Sequence, residues 1–293
     1  MTIRHLLLGL IGACLAIGGA PSTAETSEAH AILYEIRSGS GTTPCFLFGT
    51  IHSDDRRVVE LPEQVREAFA ASPGLALEVV PDGPAIIKAM VTMAYTDGRL
   101  LRDTLPPDLY REATLALGDL GMSEEAFKDL KPWAVVTLLS APPSDTGEFL
   151  DMLLYRNAVS DGKQIRGLET MAEQLAVFDD LAEPDQIALL RETLAAREHL
   201  PAILEGLITA YLERDMAGLK ALSESYLAET DPGLAGLFRT VVIDSRNHRM
   251  VERMAPLIAQ GGWFIAVGAL HMSGELGVVE LLRRKDYQVS AVF

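Results

Sequence analysis

Two motifs of the form Gly-x-x-His follow apolar segments near opposite ends of the chain. The first segment covers residues 45–48 and its motif ends at His52, while the second covers residues 263–267 and ends at His271. Short apolar runs bounded by Pro or Gly predict buried strands, and Gly49 is expected to allow a sharp turn through positive φ. Each histidine would then follow the carboxyl end of a strand, where open α/β sheets bind ligands. The repeated motif predicts two imidazoles in one site.

Carboxylates occur in comparable contexts. Glu78 lies within a predicted strand over residues 75–80, Glu169 follows a predicted short strand over residues 163–168, and Asp151 interrupts an apolar helix face. A carboxylate in an apolar run is costly unless it is paired or bound to metal. Together with the two histidines, these groups predict either a divalent-metal site that activates water or metal-free general acid/base chemistry.

Structural explanations are open for each of these residues. Glu78 could pair with an arginine such as Arg246, and Glu169 could cap its helix. Asp151 could be buried and paired within the helical region. Arg246 and Asn247 could belong to a solvated helix face, and a single histidine after a strand is often a hydrogen-bonded loop residue. Ligands from distant segments give no short signature, so spacing alone identifies no metal.

The elements that would position these groups are concentrated at the two ends of the chain. Residues 31–36 and 46–48 predict a β-hairpin, and residues 62–71 and 75–80 a helix and a strand that complete a βαβ unit with parallel pairing. Strand, helix and strand return after residue 263. The interior predicts helices separated by prolines, at residues 85–96, 107–119, 123–129, 132–140, 147–161, 169–178, 184–198, 200–213, 215–228 and 232–259.

Neither end has enough strands to be stable alone, so the two ends are expected to share one sheet. The predicted fold is therefore α/β, with a central mixed sheet formed by the N- and C-terminal β-rich ends and a long helical insertion over about residues 85–260. We expect residues 25–293 to form a single domain. No fixed repeat period appears, which disfavours a solenoid.

Residues 1–24 have the pattern of a secretory signal peptide: Arg4 and His5, an apolar run of about 12 residues, and small residues toward Ala24. The run is shorter than the ~20 residues that span a bilayer, which disfavours a membrane anchor, and Cys14 lies too deep in the run for a good lipoprotein signal. We therefore expect a periplasmic or secreted protein. Cleavage would leave Cys45 as a lone, buried thiol.

The chain has 25 basic and 41 acidic residues, for a formal charge of −16. Such an acidic chain repels phosphate, which argues against nucleic acid and anionic membrane surfaces as partners. Composition is otherwise that of an ordinary globular protein. The expected partner is a peptide or small-molecule substrate, and the oligomeric state is left open.

The ordered set of short motifs resembles the TraB/GumN family, which is related to the Tiki proteases and more remotely to erythromycin esterase-like and ChaN-like proteins. The resemblance extends from about Tyr34 to Phe293. The motifs that carry it are Phe48-Gly-Thr-Ile-His52, Leu77-Glu78, Gly167-Leu-Glu-Thr170 with Gln174, Arg246-Asn247, and Val267-Gly-Ala-Leu-His-Met-Ser-Gly274 with Gly277. Two departures are Leu270, where a small residue is usual and where the pocket would be narrowed, and Asp286, where glycine is common.

The resemblance implies a hydrolytic site that is metal-dependent in Tiki-like members and metal-free in esterase-like ones. Carried over by position, it implies catalytic roles for His52, Glu78, His271, Glu169 and Arg246, with His52, Glu78 and His271 as ligands of a divalent metal (Mn, Co or Zn). The expected function is that of an exported hydrolase, metallopeptidase-like or metal-free. The alternative is a non-catalytic periplasmic binding or regulatory protein that uses the same cleft.

Overall fold

The computed structural model describes residues 30–39, 43–141, 146–228 and 239–293. The predicted signal peptide over residues 1–24, part of the predicted hairpin turn and residues 232–238 of one predicted helix lie outside these residues. Within the described part, no helix combines the length and hydropathy needed to cross a bilayer.

One six-stranded sheet brings the two ends of the chain together. Its strands are β1 Leu33–Arg37, β2 Cys45–Thr50, β3 Gly74–Leu77, β4 Gln164–Gly167, β5 Trp263–Gly268 and β6 Gln288–Ala291. Their order is β4-β3-β5-β2-β1-β6. Strands β4, β3, β5 and β2 run parallel, whereas β1 pairs antiparallel with both β2 and β6. The predicted mixed sheet shared by both ends is thus confirmed.

The predicted direct pairing of β2 with β3 is wrong, because β5 lies between them. Phe48 of β2 pairs with Ala266 of β5, and Leu77 of β3 pairs with the same residue from the other side. The near-continuous apolar sequence of β5 suits this central position, since its side chains are buried on both faces of the sheet. The C-terminal strand therefore completes the N-terminal βαβ unit.

Helices account for most of the remaining described chain. They are α1 Arg56–Val59, α2 Glu63–Ala71, α3 Gly83–Met93, α4 Leu101–Thr104, α5 Pro107–Asp119, α6 Glu124–Phe127, α7 Pro132–Ser140, α8 Leu150–Ser160, α9 Met171–Asp179, α10 Glu183–Ala196, α11 Leu200–Leu212, α12 Met216–Ala228, α13 Ser245–Gln260 and α14 Val278–Arg283. Most helices start close to the positions that the prolines predict. The four-residue helices α1 and α4 were not predicted, because one turn shows no hydrophobic period.

The helices form two layers against the sheet and a separate helical core. Helices α2, α8, α11 and α12 cover one face of the sheet, and α13 and α14 cover the other. A third apolar cluster contains residues of α4, α5, α6, α7 and α10 and no strand. The insertion thus supplies both a layer of the α/β core and a helical core of its own.

Candidate functional site

Four parallel strands end at one edge of the sheet, and the predicted site residues follow their ends. Leu77 of β3 pairs with Gly167 of β4, and Thr50 of β2 pairs with Gly268 of β5. Glu169, Glu78, His271 and His52 each come one to three residues later in their chains. The predicted clustering at carboxyl strand ends therefore follows from the topology.

His271 is held in one tautomer by Asn247 of α13. The Asn247 side-chain amide donates from Nδ2 to the Leu276 carbonyl at 2.7 Å, which leaves Oδ1 facing His271 Nδ1 at 2.6 Å. Because Oδ1 can only accept, Nδ1 carries the proton and donates, and Nε2 is the unprotonated nitrogen. The ring is only 6% exposed. Burial lowers the pKa of His271 to about 4, with Arg246 adding to and Glu78 opposing this effect.

Glu78 faces this imidazole. Its Oε1 lies 3.7 Å from His271 Nε2 and accepts the Gly268 N–H at 2.6 Å. Its Oε2 accepts from Arg246 Nη2 at 2.5 Å and from Gln174 Nε2 at 3.0 Å. Burial acts to raise the pKa of Glu78. The charge that His271 gains when it is protonated in acid, the Arg246 guanidinium and the Gly268 N–H outweigh burial and lower the pKa to about 2. Glu78 is therefore an anion at neutral pH.

The predicted placement of Glu78 inside a strand is wrong by one residue. Strand β3 ends at Leu77, and the Glu169 N–H donates to the Glu78 carbonyl at 2.7 Å just beyond it. The chain bends at this point, which lets the Glu78 carboxylate reach Arg246 and Gly268 instead of pointing into an apolar layer. This contact removes the cost of burying an unpaired charge.

The glycines of the two motifs provide close approach. A Cβ atom at Gly268 would lie 3.2 Å from Glu78 Oε1 and 3.4 Å from the His271 ring, and a Cβ atom at Gly49 would lie 3.2 Å from Ala269 Cα. Gly49 lies inside β2, and its φ is not positive. The predicted turn at Gly49 is therefore wrong. Its glycine lets the first motif pack directly against the second.

Arg246 joins Glu78 to Glu169. Its Nε and Nη2 both donate to Glu169 Oε2, at 2.9 and 2.7 Å, and Arg249 Nη1 donates to Glu169 Oε1 at 3.0 Å. The Glu169 side chain is fully buried. The suggested capping role of Glu169 is wrong, because Thr170 and Glu173 form the capping box of α9.

Arg246 and Asn247 are both buried. The suggested solvated face of this part of α13 is therefore wrong. Hydrogen bonds explain why two polar residues enter the layer. Besides the bonds described above, Arg246 Nη1 donates to the Val242 carbonyl at 3.4 Å, so that every side-chain nitrogen and oxygen of the two residues has a partner. These bonds offset the cost of removing the two side chains from water.

His52 occupies the open side of the same edge. Its side chain is 78% exposed, and its ring stacks on Phe149 with centroids 5.6 Å apart. His52 Nδ1 lies 3.2 Å from Asp151 Oδ2, while Asp151 Oδ1 accepts from Thr50 Oγ1 at 3.0 Å. Contact with Asp151 raises the pKa of His52, with a smaller contribution from Glu78.

Asp151 Oδ2 is buried, and among the described residues it lacks a well-directed hydrogen bond despite its proximity to His52. The two histidines thus share one pattern. Each turns Nδ1 toward an acceptor oxygen from a neighbouring helix, Asp151 Oδ2 or Asn247 Oδ1, and leaves Nε2 for another partner. Outer-shell oxygens on Nδ1 are typical of histidines that bind metals or transfer protons.

Glu78 and His271 fit a divalent cation in donor type, protonation state and spacing. Two donors about 2.1 Å from a tetrahedral ion lie roughly 3.4 Å apart, close to the 3.7 Å between Glu78 Oε1 and His271 Nε2. In the described residues, however, no group of three His, Cys, Asp or Glu side chains lies close enough to hold an ion. The predicted third ligand, His52, lies at the neighbouring strand end.

Sequence reasoning undervalued three residues that touch the site: Asp151, Asn247 and Gln174. A structural role is open for Asp151 from the sequence, and the signal for a role in the site is a lone carboxylate in the apolar first turn of α8. Gln174 is marked only by the family motifs, and the sequence also allows a solvated helix face for Asn247. Their contacts with His271 and Glu78 come from elements far apart in the chain, which a local pattern does not reveal.

The fold and site define an α/β protein with two Gly-x-x-His motifs arranged around a buried network of carboxylates and arginines at the carboxyl edge of its sheet. Residues 32–291 match the TraB/PrgY/gumN family, and the chain belongs to this family. This confirms the resemblance seen in the motifs.

Curated relatives give the same result at low identity. The chain is 26% identical to Metalloprotease TIKI1 of Danio rerio over 92% of its own length and 66% of the relative's, and 26% identical to Metalloprotease TIKI1 of Homo sapiens over 92% and 65%. It is 25% identical to Metalloprotease TIKI2 of Danio rerio over 89% and 61%. This chain thus spans less than two thirds of each relative. No solved structure gives a significant match.

Proposed function

We propose that this chain is an exported hydrolase of the metallopeptidase kind, in which His52, Glu78 and His271 hold a divalent metal. The observation that carries the proposal is the Asn247–His271–Glu78 arrangement, which presents an unprotonated Nε2 3.7 Å from an anionic carboxylate oxygen. The metalloprotease names of the curated relatives support the same reaction class. A bound metal would supply Lewis-acid activation of water.

The remaining residues act on these three. Asn247 fixes the His271 tautomer, and Asp151 orients the exposed His52 ring. Arg246, held between Glu78 and Glu169 and only 7% exposed, forms an ion pair with each carboxylate and keeps the two aligned. We therefore assign Arg246 and Glu169 positioning roles rather than contact with substrate. Their part in catalysis is to keep the Glu78 carboxylate in place.

The test combines metal content with turnover. Purified wild-type protein is compared with His52→Ala and His271→Ala, and with His248→Ala as a matched control, because His248 is an exposed histidine on α13 outside the site. Metal is quantified after exposure to Mn²⁺, Co²⁺ or Zn²⁺ and removal of excess ion. Peptide and ester panels are assayed with and without a chelator.

We expect the control to keep both metal and turnover, and the two site variants to lose both. Turnover that survives chelation but requires His52 would replace the metal mechanism with a metal-free one, in which histidine acts as general base. Metal binding and turnover that are equal in all four proteins would overturn the assignment of the site.

A non-catalytic binding protein is the second candidate, and one observation favours it. Both Glu78 oxygens already accept hydrogen bonds, from Gly268 on one side and from Arg246 and Gln174 on the other. Such a satisfied network can also serve stability alone. This alternative predicts tight ligand binding with no turnover of any substrate by the wild-type protein, metal present or absent.

Export is the remaining part of the proposal and rests on residues 1–24 of the sequence. Expression of the full chain in a bacterial host, followed by fractionation and N-terminal sequencing, tests it. We expect an extracytoplasmic product cleaved near Ala24. An uncleaved cytoplasmic product would contradict export without affecting the hydrolase assignment.

A further inference from the structure

Helix α3, beside the candidate site, exposes an apolar surface. Ile87 and Met90 are 63% and 67% exposed, Ile86 and Val91 are also exposed, and no residue of α3 is buried. The N-terminus of α3 is nevertheless stabilised, because the side chain of the N-cap residue Asp82 accepts a hydrogen bond from the Ala85 N–H at 2.8 Å. A helix with so many exposed apolar side chains usually contacts a ligand or partner.

A cavity of 410 Å³ lies between α3 and α9. This volume falls within the ~300–1,000 Å³ typical of ligand sites. Its wall is largely apolar, and Gly167 and Glu169 connect it to the candidate site at the carboxyl ends of β3 and β4. The other lining residues are Val79, Val80, Asp82, Ala85, Lys88, Thr170, Met171 and Ala172.

Strand β4 forms the edge of the sheet next to this cavity. The N–H groups of Gln164 and Leu168 donate to the Pro73 and Leu77 carbonyls, at 3.0 and 2.8 Å, so that the even-numbered residues bond toward β3. By alternation, the backbone groups of Ile165 and Gly167 point to the outer edge. Among the described strands, β4 pairs with β3 alone. Such an edge can accept another extended chain.

Arg166 protects part of this edge. Its Nη1 donates to the Ile165 carbonyl at 2.9 Å from an exposed side chain. Gly167, which is exposed and lines the cavity, is the open part. An extended ligand that pairs with Gly167 would place alternate side chains on the cavity side.

We propose that the β4 edge and the cavity between α3 and α9 form a substrate subsite for an extended polypeptide segment with an apolar side chain, which enters the cavity while its backbone pairs with Gly167. This inference rests on the proposed hydrolase function and names its substrate class. An extended peptide satisfies both features at once, since its backbone matches the open strand edge and its side chain the apolar cavity.

The probe is a library of fluorescent decapeptides, and binding is measured on His52→Ala protein so that turnover does not consume the probe. Ala85→Phe fills the cavity, and Ile87→Asp places a charge on the exposed face with little risk to folding. Leu115→Asp is the matched control, because Leu115 is 65% exposed on α5, away from the cavity.

We expect a preference for Leu, Ile or Phe at one peptide position. Ala85→Phe should weaken binding by about tenfold or more, the effect of losing one buried apolar contact. Ile87→Asp should weaken binding less, because Ile87 lies on the exposed face of α3 outside the cavity lining. Leu115→Asp should bind normally. A single backbone N-methyl group should abolish binding only at alternate peptide positions, because only every second residue of an extended peptide directs its N–H group toward the neighbouring strand.

Unchanged binding by both variants, or N-methyl effects with no alternation, would overturn the subsite. Loss of vesicle binding or of self-association in Ile87→Asp, with peptide binding intact, would assign the apolar face to a lipid surface or a second copy and likewise overturn it. Equal turnover by wild-type protein and by the subsite variants would overturn the subsite and leave the hydrolase assignment intact. Peptide binding that is weakened by the subsite variants, with no turnover by wild-type protein, would support the subsite and overturn the hydrolase assignment.

Discussion

Asn247 Oδ1 lies 2.6 Å from His271 Nδ1 and is itself oriented by the hydrogen bond from Asn247 Nδ2 to the Leu276 carbonyl. An amide on one helix therefore decides which nitrogen of a histidine after β5 is protonated. Both groups are buried, so that water does not compete for the ring nitrogen. The chemistry available at His271 depends on this contact.

Asn247→Leu should release this tautomer. The buried His271 Nδ1–H would lose its acceptor at a cost of about 1–3 kcal/mol, and turnover should fall by about 10–100-fold, as for other outer-shell partners. Imidazole ¹⁵N shifts should change from a single Nδ1-protonated form to a mixture. Asn157→Leu on α8 serves as control. An unchanged ¹⁵N spectrum in Asn247→Leu would refute the tautomer assignment.

Arg246→Gln should be severely destabilising. It leaves the carboxylates of Glu78 and Glu169 without their shared cation, and breaking a buried pair typically costs about 3–5 kcal/mol. Arg249→Gln is the matched comparison, since Arg249 is partly exposed and, among the described residues, its side chain is paired with Glu169 and not with Glu78. This substitution should cost about 1 kcal/mol. Urea unfolding with unchanged m-values measures both. An equal fall in the free energy of unfolding for both variants would show that bridging two carboxylates does not make Arg246 more important for stability than Arg249.

Ionised Glu173 should contribute to the free energy of unfolding, and this contribution should be lost in acid. Hydrogen bonds from Arg253 and from Thr170 lower the pKa of Glu173 to about 2 from its ordinary value of 4.5. A folded-state pKa below the unfolded one means that stability is complete above about pH 4.5 and is lost as pH falls toward 2.

Because Glu173 is 33% exposed, screening reduces its contribution to about 1 kcal/mol. Glu173→Gln keeps the capping-box geometry, so it should unfold about 1 kcal/mol more easily than wild type at pH 7. The difference should shrink between pH 4.5 and 3 in urea titrations. Glu67→Gln on α2 provides a control. A difference that is constant with pH would contradict the charge-based explanation.

Asp286 has φ of 64°, in the left-handed region that favours glycine. Glycine adopts this conformation without steric cost. We expect Asp286→Gly to raise the free energy of unfolding by about 0.5 kcal/mol and Asp286→Ala to lower it by a similar or larger amount. Thermal and urea unfolding measure both variants, and a gain from alanine would disprove the backbone explanation.

The sequence alone determined the strands, most of the long helices and the edge of the sheet that carries the site. These features have local causes: apolar runs such as those before Gly49 and Gly268, and prolines such as Pro107 and Pro132 at helix starts. The repeated Gly-x-x-His motif marked His52 and His271 because parallel strands end at a common edge. Position along the strand was enough for this inference.

Tertiary structure decided everything that depends on partners distant in the chain. It inserted β5 between β2 and β3 and turned Arg246 and Asn247 inward. It also brought Asp151 to His52. The local sequence does not distinguish a buried polar residue from a solvated one. Burial becomes favourable only when a hydrogen-bonding partner offsets the cost of desolvation. The histidines were visible in the sequence, whereas the oxygens that set their protonation became visible only once the chain had folded.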